Sequence, residues 1–129
     1  MKTIKQYKSL EGSVPVECFI NGLTKKQRDK IFQLLFLIAT DANALTPPHV
    51  KAFRIEKYKG MYELRARMVK MIRIIFRLDE EGDIVLLHAF MKKHERSTEQ
   101  ALDISKARVA ELNQFQATIS TMLGGKENE

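Results

Sequence analysis

From Met61 to Lys93 apolar and polar residues alternate with a period of two. Successive strand side chains point to opposite faces, so this period marks half-buried strands. In the first run Tyr62, Leu64, Ala66 and Met68 share one face, and Glu63, Arg65 and Arg67 share the other. In the second, Ile72, Ile74, Phe76 and Leu78 oppose Arg73 and Arg77. Asp79 to Asp83 reads as a hairpin loop, and Ile84 to Lys93 as the third strand. The pattern predicts a meander with one apolar face and one arginine-bearing face turned outward.

Upstream, the period changes to that of a helix. Thr24 and Gln27 form a capping box, after which Ile31, Leu34, Leu35 and Ile38 recur at helical spacing. Lys25, Lys26, Arg28 and Lys30 fall on the solvent side. Phe32, Phe36 and Leu37 widen the apolar face, which predicts contact with a second helix as well as the sheet. Thr46-Pro47-Pro48 stops the pattern. Val14 to Leu23 predicts a shorter helix, with Pro15 early and Val16, Phe19 and Ile20 on one face. Ile4 to Leu10 reads as a short strand at an edge, and Val50 to Glu56 as a further strand of unassigned position. Ser97 to Gln100 makes a second capping box, predicting a helix from Thr98 to about Ile119. The expected fold is α+β: a twisted antiparallel sheet of four to five strands packed against two N-terminal helices, with a C-terminal helix. Residues 1–123 form one domain in this reading, and 124–129 a flexible tail.

Composition adds a sign to the surface. The chain has 129 residues, 44% hydrophobic, with a net charge of +6. From His49 to Arg96 there are twelve Lys or Arg against seven Asp or Glu, so the sheet segment carries most of that excess. An acidic partner is expected, and RNA is the natural polyanion. The single cysteine, Cys18, excludes an internal disulfide and fits a reducing cytoplasm, as a buried core thiol. Met1 to Leu10 lacks the apolar segment of a secretory signal, and Ile31 to Ala39 is too short to span a bilayer. The three histidines and the cysteine make no metal motif, and no glycine-rich loop indicates a cofactor. No metal, cofactor or membrane role is therefore expected.

Four segments together resemble the RelE/ParE toxin superfamily, in its phage-derived HigB-like branch. They are Pro47-Pro48-His49-Val50-Lys51, Tyr62-Glu63-Leu64-Arg65, Ile72-Arg73-Ile74-Ile75-Phe76 and Leu86-Leu87-His88-Ala89-Phe90-Met91-Lys92-Lys93. The likeness covers roughly residues 4 to 110, in order and spacing as well as type. The chain departs from it at His94-Glu95-Arg96-Ser97, where the family commonly has Thr and Pro, and at Ile72, where a Tyr is common.

The resemblance implies a RelE-like fold and the toxin of a type II toxin–antitoxin module. Its implied activity is metal-independent, ribosome-dependent cleavage of mRNA, and its implied partners are a helix-turn-helix antitoxin, mRNA and the ribosome. In that chemistry a ribose 2′-hydroxyl attacks the adjacent phosphate. Arginine suits stabilisation of the charged intermediate because its planar fork donates two hydrogen bonds and keeps its charge. Arg73 and Arg65 are the first candidates, followed by Lys93 and by His94, whose imidazole titrates near neutrality. Lys92, Lys93, His49, Lys51 and Arg67 are candidate RNA contacts. Against these stand plainer readings: a solvated polar sheet face for the arginines, strand-end charges for the lysines, a loop role for His49 and a core position for His88. Glu63 reads as an arginine partner. Two other classes share the fold: a ParE-like DNA gyrase inhibitor, and a non-catalytic nucleic-acid or antitoxin-binding module.

Overall fold

The computed structural model describes residues 1–94, 96–115 and 119–123. Strand β1 spans Ile4–Tyr7, helix α1 Pro15–Asn21 and helix α2 Lys25–Thr40. Strands β2 (Val50–Ala52), β3 (Met61–Arg67), β4 (Met71–Leu78) and β5 (Ile84–Met91) follow, then helix α3 (Arg96–Phe115) and strand β6 (Ile119–Leu123). The six strands form one sheet in the order β2-β3-β4-β5-β1-β6.

The meander β2-β3-β4-β5 is antiparallel throughout, as the alternation predicts. The sheet as a whole is mixed, because β1 runs parallel to β5. Alternation fixes which face a side chain takes and is silent on strand direction; no hairpin ties β1 to β5. β1 is also interior, since β6 pairs with its free side in antiparallel fashion. α3 begins at Arg96 and ends at Phe115, while Ile119, expected at the end of the helix, opens β6. The tail 124–129 lies outside the described residues.

α2 forms as its sequence dictates. Gln27 N–H donates to Thr24 Oγ1 at 3.2 Å, and Thr24 N–H donates to Gln27 Oε1 at 2.9 Å, completing the box. Ile31, Leu34, Leu35 and Ile38 are buried against Leu64, Ile72, Ile74 and Phe76 of the sheet and Val16 and Ile20 of α1. Phe32 and Phe36, expected to widen the buried face, are exposed instead. Ala39 takes the inner position while the two phenylalanines fall on the outer arc. Cys18 is exposed for the same reason: Val16 and Ile20 face inward on α1, and Cys18 lies between them on the far side.

The second face of the sheet is not open. α3 covers part of it, burying Ala101 and Leu102 against Met61, Ile75, Val85, Leu87 and Tyr58. Arg108 of α3 donates to Leu87 O at 2.7 Å and lies over the Tyr7 ring, and Tyr7 hydroxyl bonds Glu111. α3 therefore runs back along β5, with its C-terminal turns near Val85 and its first turn beyond Phe90. At the opposite end of the meander, Lys5 bridges Asp79, Glu81 and Asp83 of the β4–β5 loop at 2.8, 3.2 and 3.4 Å. Those three carboxylates could otherwise gather a cation, but the Lys5 ammonium already sits among them.

Candidate active site

β3 and β4 place Arg65 directly opposite Arg73, and β5 places Phe90 opposite Arg73 on the other side. Glu63 lies two residues before Arg65, so the pleat sets both on the face that α3 partly covers. The Arg65 Nε–H donates to Glu63 Oε1 at 3.0 Å. The same oxygen lies 3.7 Å from Arg73 Nε, within ion-pair range but beyond a hydrogen bond. One carboxylate thus serves two guanidiniums.

The expectation that Arg73 faces outward is not met: it is 3% exposed, and Glu63 is 1% exposed. β4 is an interior strand, and Arg65 and Phe90 flank in register a residue that the bare alternation leaves on a solvated face. Arg73 Nε and Glu63 Oε2 have no hydrogen-bond partner, and Arg73 Nη1 reaches Ile72 O only at 3.5 Å. Burial lowers the Arg73 pKa; Glu63 counters this, and Arg65 and Arg67 add to the lowering. The cluster therefore holds more positive charge than Glu63 neutralises, with buried donor capacity unspent. Chemically, such a cluster can attract an oxyanion.

The other candidates divide. β5 ends at Met91 and delivers half-buried Lys92 and exposed Lys93 and His94 to the same end of the sheet. Ser97 fixes that turn, its Oγ accepting from Lys93 and His94 N–H, each at 3.3 Å. The capping box predicts that Ser97 accepts from Gln100; it braces the loop instead, because the helix starts at Arg96, two residues before Thr98. Lys51 is exposed, pairs in register with Glu63 and lies over the Phe53 ring, so it flanks the arginine face from the edge strand. Arg67 is exposed at the end of β3 and lines a cleft against α2. His49 is beside Arg65 only through its backbone, its carbonyl accepting Arg65 N–H at 2.8 Å. Its side chain lines a hollow on the α2 side, away from the arginines. Arg77 lies toward the other end of β4, near Leu112.

His88 departs from the simple parity that groups it with Ile84 and Leu86. A register irregularity pairs Ile75 with His88 but Phe76 with Leu86, which moves His88 to the α3 face. It stacks on Phe90, with centroids 5.8 Å apart, and its Nδ1 lies 3.3 Å from Arg108 Nη1. Burial and the nearby Arg108 charge lower its pKa to about 4, so it is neutral near pH 7 and fixes structure. Arg108 itself was missed from the sequence: a cation among many on a helix gives no sign of reaching a strand carbonyl.

Among the described residues no helix is long and apolar enough to cross a membrane. No curated protein matches the chain. The family model of the phage derived protein Gp49-like group (DUF891) matches residues 18–110, well over half the chain, from within α1 into α3.

Proposed function

Since the chain belongs to the phage-derived Gp49-like family, we propose that it is the toxin of a type II toxin–antitoxin module and acts as a metal-independent mRNA endoribonuclease on the translating ribosome. The observation that carries this reading is the Arg65–Arg73 pair, set face to face by strand register around Glu63, at the end of the sheet where Lys92 and Lys93 arrive. The RelE/ParE likeness of the same segments supports it.

In this reading the scissile phosphate takes the seat between the two guanidiniums. Arg65, 22% exposed, orients it from the rim. Arg73, buried behind the seat, holds its positive charge there as charge builds on the phosphorane oxygens. A preorganised cation of this kind is worth about 10²–10³ in rate. Lys93 steadies the phosphate from the loop, and His94 on the same loop moves the proton to or from a ribose oxygen. A helix-turn-helix antitoxin is the expected partner that silences the site, and the cytoplasm its place of action.

The test is purified protein added to translating ribosomes in the presence of EDTA. Cleavage should persist and leave a cyclic or 3′-phosphate end. Arg73→Lys keeps the charge but loses the fork, and should bind RNA while cleaving at least a hundredfold more slowly. Full cleavage by a folded Arg73→Ala protein would overturn the role. Intact mRNA alongside inhibited gyrase would move the protein to the ParE-like class.

A further inference from the structure

The β3–β4 hairpin faces the first turns of α2 across an open cleft of about 420 Å³. Lys26, Lys30 and Arg67 line it together with Met68 and Val69. Lys26 and Lys30 are one helical turn apart, so α2 presents them side by side. Among the described residues none of these three cations has a carboxylate within ion-pair distance, whereas their neighbour Lys25 is paired with Asp29 at 2.8 Å. Val69 is fully exposed and supports no core. Three uncompensated cations around one cleft repel each other, and an apolar residue at its lip gains nothing from water. Both features fit a ligand that is anionic on one side and apolar on the other. The cleft opens at the β3–β4 end of the sheet, where β3 runs out beyond Arg65. Arg67 stands two residues beyond Arg65 on β3, and its charge is felt at Arg73.

We propose that this cleft is a second nucleic-acid subsite, which receives an unpaired nucleotide flanking the scissile one. Its phosphates lie against Lys26, Lys30 and Arg67, and its base lies on Met68 and Val69. The assignment rests on the ribonuclease reading of the Arg65–Arg73 pair and extends it to a substrate class: single-stranded RNA, engaged over more than one nucleotide. A duplex hides its base faces in its own stack and would leave the apolar wall without a function. The strand is led along β3, from the seat at Arg73, past Arg67, to the N-terminal turns of α2. The walls of the cleft are the N-terminal turns of α2 on one side and the end of β3 with the β3–β4 turn on the other.

The experiment measures binding of a short 2′-O-methyl RNA single strand, which has no free 2′-hydroxyl and stays intact, across a salt series. Losing two phosphate contacts in the Lys26→Ala, Lys30→Ala double variant should weaken binding about tenfold and make the slope of log affinity against log salt shallower by about 1.4. Val69→Asn should weaken single-strand binding severalfold with the slope unchanged, and leave duplex binding as it was. Circular dichroism checks that the variants are folded. Wild-type affinity and slope in the double variant, with cleavage by the native protein intact, would remove the cleft and leave the ribonuclease reading standing. Equal losses for single strand and duplex would reduce the cleft to a diffuse basic patch and overturn the nucleotide subsite. A native protein that binds no free single strand would remove the cleft subsite, while cleavage on translating ribosomes decides the ribonuclease reading by itself.

Discussion

Under α1 and α2 the sheet shows Leu64, Ala66, Ile72, Ile74 and Phe76, all essentially inaccessible to water. Under α3 the same strands show Met61 and Ile75 at one end and Glu63, Arg65 and Arg73 at the other. Along β3 and β4 the first face is dry and apolar. The second is divided: α3 packs over part of it, and toward Lys92 it holds charged groups with bonds still to make, Glu63 and Arg73 buried and Arg65 at the rim. The difference teaches where stability and chemistry reside. A continuous aliphatic face contributes burial energy of about 25 cal/mol per Å² and has no use for a polar group. A half-sealed face can hold charges in a low-dielectric setting, which strengthens their pull on an incoming anion while costing the fold some stability.

Breaking the dry face should have the largest effect. Leu35→Asp places a charge with no partner in the α2 core and should abolish folding, seen as loss of a cooperative thermal transition. A melt like that of the native protein would refute the packing. Next comes the polar end. Glu63→Ala leaves Arg73 buried without its counter-ion and should cost about 3–5 kcal/mol in denaturant unfolding. Adding Arg73→Met to that variant should recover much of the loss, and additive costs would show that the two residues do not interact.

A smaller effect separates the middle of the second face from its end. The His88 pKa is lowered in the folded protein, so the unfolded chain takes up the proton first as pH falls. Stability from this group is full above about pH 6.5 and is lost progressively toward pH 4. Allowing for solvent screening of the half-buried ring, the loss is on the order of 2 kcal/mol. His88→Gln should flatten that part of the stability–pH curve; an unchanged curve would place the acid sensitivity elsewhere. The least effect belongs to the exposed Lys25–Asp29 pair, where Lys25→Ala should change stability by about 0.5 kcal/mol or less. A larger change would mean that the surface of α2 is coupled to its core.

Much of this was legible in the chain. The period-two runs located β3, β4 and β5 to within a residue or two, because one face of each strand is packed against a continuous core. The capping box and the spacing of Ile31, Leu34, Leu35 and Ile38 located α2 and its inner face. The candidate site was partly legible: Arg65, Arg73, Lys92 and Lys93 do converge on one end of the sheet, and Glu63 is an arginine partner. His49 does not join them through its side chain.

What the sequence by itself determined is everything that follows from local periodicity: which residues alternate, where helices start, which side chains share a face. These depend on neighbours a few positions away, and the chain carries that information directly. What only the tertiary structure decided depends on elements distant in sequence. α3 packs on part of the second face, Arg73 is buried, β1 enters beside β5 in parallel, and β6 rather than a longer helix covers the far side of β1. A register irregularity turns His88 toward α3. No pattern along the chain encodes which element will cover a charged face, because burial is a property of the packed assembly and not of the strand that carries the charge.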